Sequence, residues 1–68
     1  MESMGFDPVT LWAEGPHRCV MRREYGRYEL LLYTGDRATQ LQAFASEHDA
    51  RNTAQQWLVA TKERSFQP

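Results

Sequence analysis

The chain has one cysteine, Cys19, among its 68 residues. No disulfide within the chain is therefore open to it. No set of Cys and His at zinc-finger spacing is present either, and this removes the second common staple of very small domains. A domain of this length buries only about 60% of its unfolded surface. Close packing or self-association must supply its stability. No apolar run approaches the roughly 20 residues needed to span a membrane. The start, MESMGFDPVT, has neither a basic n-region nor an apolar stretch, so no signal peptide is expected. With a lone thiol, this gives a cytoplasmic location as the default. Strong charge of either sign is also missing: the net charge is −1 and the pI about 6.0. Dedicated nucleic-acid binders are more often basic.

What the chain does have is punctuation. Residues 9–14 (VTLWAE), 18–24 (RCVMRRE), 27–33 (RYELLLY) and 38–45 (ATQLQAFA) read as strands. They are separated by Gly15-Pro16-His17, Tyr25-Gly26 and Gly35-Asp36, breakers of hairpin length. With Tyr25-Gly26 as a two-residue turn, Glu24 faces Arg27, Arg22 faces Glu29, Met21 faces Leu30 and Cys19 faces Leu32. With Gly35-Asp36 as the next turn, Leu30 meets Leu41, Tyr28 meets Ala43 and Leu32 meets Thr39. Both turns place their apolar residues on one face, and that agreement supports a meander. A three-residue loop, Gly15-Pro16-His17, sets Leu11 opposite Met21 and sends Trp12 to the other face.

Ser46 opens a helix as a variant capping box with Asp49. Ala50, Ala54, Trp57, Leu58 and Thr61 then recur on one stripe, so the helix is expected over 47–62. The expected fold is α+β: an antiparallel β-meander of three to four strands with one C-terminal helix packed on one face. Residues 1–8 read as a flexible tail, 9–62 as a single domain and 63–68 as a frayed end. Trp57 is the expected central plug, against Leu30, Leu41 and Met21.

Catalysis has little to work with. His17-x-Cys19 is no metal site alone, His48-Asp49 sits in a helical first turn where the aspartate caps, and Cys19 falls on the core face. No phosphate loop or nucleophile elbow appears. No enzyme activity, cofactor or metal is expected. The second sheet face is more informative. It is expected to show Arg18, Arg22, Glu24, Arg27, Glu29, Gln40 and Gln42 together with Val20, Leu31, Tyr33, Phe44 and Trp12. Arg22–Glu29 and Glu24–Arg27 are cross-strand pairs, so the charges largely cancel. The apolar groups have nothing in the chain to cover them. A patch of this kind marks an interface, and Val20, Leu31, Tyr33 and Phe44 are the candidate contacts for a homodimer or a protein partner.

Residues 18–60 also resemble the sheet-plus-helix modules of the AP2 type and of integrase arm-binding domains. Tyr25, Gly26, Arg27 and Tyr28 match an aromatic-Gly-basic-aromatic turn. Phe44, Ala45 and Ser46 match a Phe-x-Thr helix entry, followed by Ala50 and Ala54. Gln42 stands where that family usually has glycine, and Leu31 replaces its strand-three glutamate. The layout is also similar to uncharacterised small bacterial domains. The AP2 resemblance implies a sheet face laid in the DNA major groove, with Arg18, Arg22 and Arg27 on the nucleic acid and Gln40 and Gln42 as base readers.

Overall fold

The computed structural model describes residues 8–65. Residues 1–7 of the expected tail (1–8) and residues 66–68 of the expected frayed end (63–68) lie outside the described part. Four strands, β1 (Val9–Glu14), β2 (His17–Glu24), β3 (Arg27–Thr34) and β4 (Arg37–Phe44), precede one helix, α1 (Glu47–Ser65). The strands form one antiparallel sheet in the order β1-β2-β3-β4, and α1 packs on one face of it. The chain is thus an α+β meander plus helix, with β1 as a full member of the sheet.

The central hairpin follows the sequence directly. Tyr25 and Gly26 both have positive φ, 53° and 76°, the sign pattern of a type I′ turn, whose twist matches that of the strands it joins. The pairs Glu24↔Arg27, Arg22↔Glu29, Met21↔Leu30 and Cys19↔Leu32 all form. Tyrosine is a poor occupant of left-handed backbone, and Tyr25 is 89% exposed, so little packing offsets the strain. Tyr25→Asn should therefore stabilise the fold by about 0.5–1 kcal/mol, while Gly26→Ala should destabilise it by about 1–2 kcal/mol. Opposite shifts in thermal midpoint would bear this out; equal midpoints would refute it.

The other two hairpins depart from expectation. Gly15-Pro16 is a two-residue turn, closed by Glu14↔His17. Gly15 takes φ 59° and proline holds φ near −65°, the signs of a type II′ turn. Having no Cβ, glycine escapes most of the restriction that proline imposes on the residue before it. Counting on from this two-residue turn, in place of the expected three-residue loop, pairs Trp12 with Cys19 on the helix-covered face. A bulge at Leu11 then shifts the register, so that Thr10 pairs with Val20 and Val9 with Met21. In β4, Gly35-Asp36 is the turn, but Thr39 is an extra residue between Ala38, opposite Tyr33, and Gln40, opposite Leu32. Its Oγ1 donates to the Leu32 carbonyl at 3.2 Å. One extra residue exchanges the faces of everything after it. Leu30 consequently meets Gln42, Tyr28 meets Phe44 and Leu31 meets Leu41. The expected pairs Leu30–Leu41, Tyr28–Ala43 and Leu32–Thr39 do not form.

The helix starts where Ser46 caps it: the Asp49 N–H donates to Ser46 Oγ at 3.3 Å. Glu47 and Arg51 pair one turn apart at 2.7 Å. Acidic residues in the first turn and basic Lys62 and Arg64 in the last suit the helix dipole. The helix runs past the expected end at Lys62 to Ser65. Its buried side is built from small residues, Ala50, Ala54 and Thr61, which allow its backbone close to the sheet. Trp12 uses this proximity: its indole N–H donates to the Ala54 carbonyl at 2.8 Å.

The core is Cys19, Met21, Leu30, Ala50 and Ala54, ringed by Leu11, Trp12, Tyr28, Phe44 and Trp57. Leu30 and Cys19 are its fully buried centre. Trp57 is half-buried at the margin, and Leu41 lies on the opposite face, so the expected central plug is replaced by Leu30 with Trp12 beside it. Burial pushes the Cys19 thiol up from 9.0 to about 11. A group whose pKa is raised by folding stabilises the fold below its unfolded value and loses that stabilisation as pH climbs. Urea midpoints should thus fall between about pH 9 and 11, more steeply than in Cys19→Ala. A wild-type profile parallel to that of the variant would overturn this assignment.

Candidate interaction surface

The sheet face away from α1 carries one straight cross-strand row. Thr10 pairs with Val20, Val20 with Leu31 and Leu31 with Leu41. Exposure along it is uneven: Val20 is 5% exposed, Leu31 7% and Leu41 59%. No helix or strand of the described chain lies over this face, yet two of its apolar residues are buried. The longer side chains beside them are engaged with one another. Arg18 stacks on the Tyr33 ring, 4.6 Å from its centroid. Arg22 Nε donates to Glu29 Oε1 at 2.7 Å and lies 3.6 Å from Glu24. Arg18, Arg22 and Tyr33 stand around the same depression as Val20 and Leu31. Val20 and Leu31 are therefore not the uncovered groups that strand alternation suggests. Between the arginines and Tyr33 lies a shallow depression of about 300 Å³, edged by Pro8 and Thr10.

The hydrogen bond with Glu29, followed by the charges of Glu29 and Glu24, raises the Arg22 pKa further above its ordinary value. This guanidinium is already engaged by carboxylates. Arg27 stands at the turn end of β3, opposite Glu24. Arg18, Arg22 and Arg27 thus share the open face, whereas Gln40 and Gln42 sit with Leu32 and Leu30 on the helix side. Phe44 is also on the helix side, beside Tyr28 and against the core, and Trp12 has joined the core. The structure brings Val20, Leu31 and Tyr33 together and separates them from Phe44; it likewise separates the three arginines from the two glutamines.

Leu41 is the residue of this face that sequence reasoning misplaced. Its alternation with Gln40 and Gln42 is plain, but the Thr39 bulge decides which side it faces. The signal was Thr39 itself, whose hydroxyl can bond the neighbouring strand's backbone and hold an extra residue there.

On the helix side, α1 leaves β4 largely uncovered, and Gln40 and Gln42 are exposed. A mixed cleft of about 250 Å³ lies there among His17, Leu32, Thr34, Thr39, Gln40, Thr61 and Arg64. His17 Nδ1 and Thr34 Oγ1 share a hydrogen bond of 3.0 Å, which occupies one ring nitrogen. Among the described residues, no group of three or more His, Cys, Asp or Glu is placed to hold a metal ion. No helix among them is long and apolar enough to cross a membrane. Comparison with protein-family models, curated proteins and solved structures finds no match to this chain.

Proposed function

We propose that this protein is a small interaction module that binds a protein, another copy or a different chain, through its helix-free sheet face. The observation that supports this most is the row Val20–Leu31–Leu41. It crosses a face that no other element among the described residues covers and ends on a leucine that is 59% exposed. A leucine left outside while its two row neighbours are buried leaves the packing row open at its end, where a partner's apolar side chain can extend it. Tyr33 and Arg18 flank the row, and Tyr and Arg are residue types enriched at interface centres. The role is binding rather than catalysis. The cytoplasmic location expected from a lone thiol belongs to the same proposal.

A photo-reactive phenylalanine analogue tests it in the producing cell. Placed at Tyr33, it should give discrete protein adducts. Placed at Val59, an exposed helix position, it should give none. Adducts only at Val59, or equal yields at both, would remove the reading.

Nucleic-acid binding, the reading drawn from the AP2 and integrase arm resemblance, has weaker support. Arg18, Arg22 and Arg27 do share the open face, but Arg22 is paired with Glu29 and Glu24, and the glutamines lie on the other side. A phosphate-contacting surface would retard duplex DNA at low salt and release it steeply as salt rises. An unretarded duplex at low salt would remove this second reading.

A further inference from the structure

Resting on the exposed Leu41 of the interaction reading above, we infer that this chain also pairs with a second copy of itself, joined edge to edge through an antiparallel pairing of the two β4 strands. A sheet in the order β1-β2-β3-β4 has two edges, and they differ. The β1 edge is guarded. It is six residues long, follows Pro8, is broken by the Leu11 bulge and is tied to the helix by Trp12. Each of these devices discourages pairing with a foreign strand. The β4 edge has eight residues, no proline and one charge, Arg37 at its start. Its bulge sits near that end, so 40–44 continue as a regular strand whose outer backbone groups face no further strand among the described residues.

Two-fold symmetry then restricts what meets what. With Leu41 opposite Leu41 of the second copy, Gln40 lies opposite Gln42 on the other side of the seam, twice. Side-chain parity is kept on both faces. On the open face, the row Val20–Leu31–Leu41 continues into the same row reversed, and the exposed leucine gains the neighbour it lacks. On the helix side, each amide meets an amide, which both donates and accepts. No charge falls between 38 and 44, so the pairing brings no like charges together. One strand on each side buries less than the roughly 1,200 Å² of a standard interface, so the dimer is a weak one, populated at high micromolar concentration.

Sedimentation equilibrium and backbone amide exchange, each followed from about 20 μM to about 1 mM, test the pairing by mass action. A concentration-dependent dimer is expected, with exchange slowed across 40–44. Leu41→Lys should weaken dimerisation at least about tenfold, because it sets two ammonium groups against each other. The double variant Gln40→Lys, Gln42→Lys should do the same from the helix side, where stacking of two open faces would leave it silent. These positions are exposed, and the circular dichroism of each variant checks that it folds. A monomer throughout the range overturns the pairing. A dimer with unchanged exchange in β4, or one indifferent to the glutamine substitutions, also overturns it while leaving the open-face reading in place. That reading stands or falls separately on the Tyr33 adducts.

Discussion

Leu30→Ala is expected to leave most of the chain unfolded at room temperature. Leu30 is on the central strand β3, fully buried, between Met21 on β2 and Gln42 on β4. Above it sit Ala50 and Ala54, whose methyl groups are too small to move into the space a truncated leucine leaves. Where the surroundings cannot collapse, Leu→Ala falls at the costly end of about 2–5 kcal/mol. A single core of this size supplies no more than about 3–5 kcal/mol of stability. The two figures nearly cancel, so amide signals should lose dispersion and the urea transition should lose its folded baseline. Leu31→Ala is the control on the opposite face. Leu31 lies beside Arg18, Arg22 and Tyr33, whose long side chains can settle inward, so its loss should stay near the low end, about 2 kcal/mol. Equal effects at the two positions would show that the alanine lining of α1 does not decide the cost.

Trp12→Ala should be almost as damaging, at about 3–5 kcal/mol, for a different reason. The indole packs beside Cys19 and donates to the Ala54 carbonyl. One side chain thus joins the edge strand β1 to the helix that closes the core. Trp12→Phe keeps most of the ring contact and removes the donor. Because the Ala54 carbonyl lies within a helix and retains its backbone partner there, the phenylalanine variant should lose only about 1 kcal/mol. The difference between the two variants separates packing from hydrogen bonding. Identical urea midpoints for wild type and Trp12→Phe would show that the indole bond contributes nothing. A loss below 1 kcal/mol in Trp12→Ala would show that the ring is not packed as described.

The parts of this fold readable from the chain are those whose information is local. Tyr25-Gly26 sets a two-residue turn, and from it every pair of β2 with β3 follows by counting. Ser46 and Asp49 mark the helix start, and the alanine stripe marks its buried side. Hairpin breakers and helical periodicity were sufficient for the α+β meander with its C-terminal helix. The two outer strands are different. Counting outward from their turns fails at Leu11 and at Thr39, since a bulge is one residue that leaves no gap in the alternation of a strand. The Thr39 bulge exchanges the faces of Leu41, Phe44, Gln40 and Gln42, the two-residue Gly15-Pro16 turn in place of a three-residue loop exchanges that of Trp12, and the candidate surface changes with them.

Which face each outer residue occupies was decided by tertiary packing. Trp12 reaches the helix because Ala54 is small enough to admit it, and Phe44 reaches the core because Thr39 is held out of register. Leu41 is then left at the edge with no further strand beside it. From the sequence alone come a meander of three to four strands, the helix, the register of the central hairpin and the cancelling charges of Arg22 and Glu29. The tertiary structure decided that Val20 and Leu31 are buried and that the exposed end of their row lies on β4. Hydrophobic alternation has period two, so it records that residues take turns between faces and not which face comes first after a bulge.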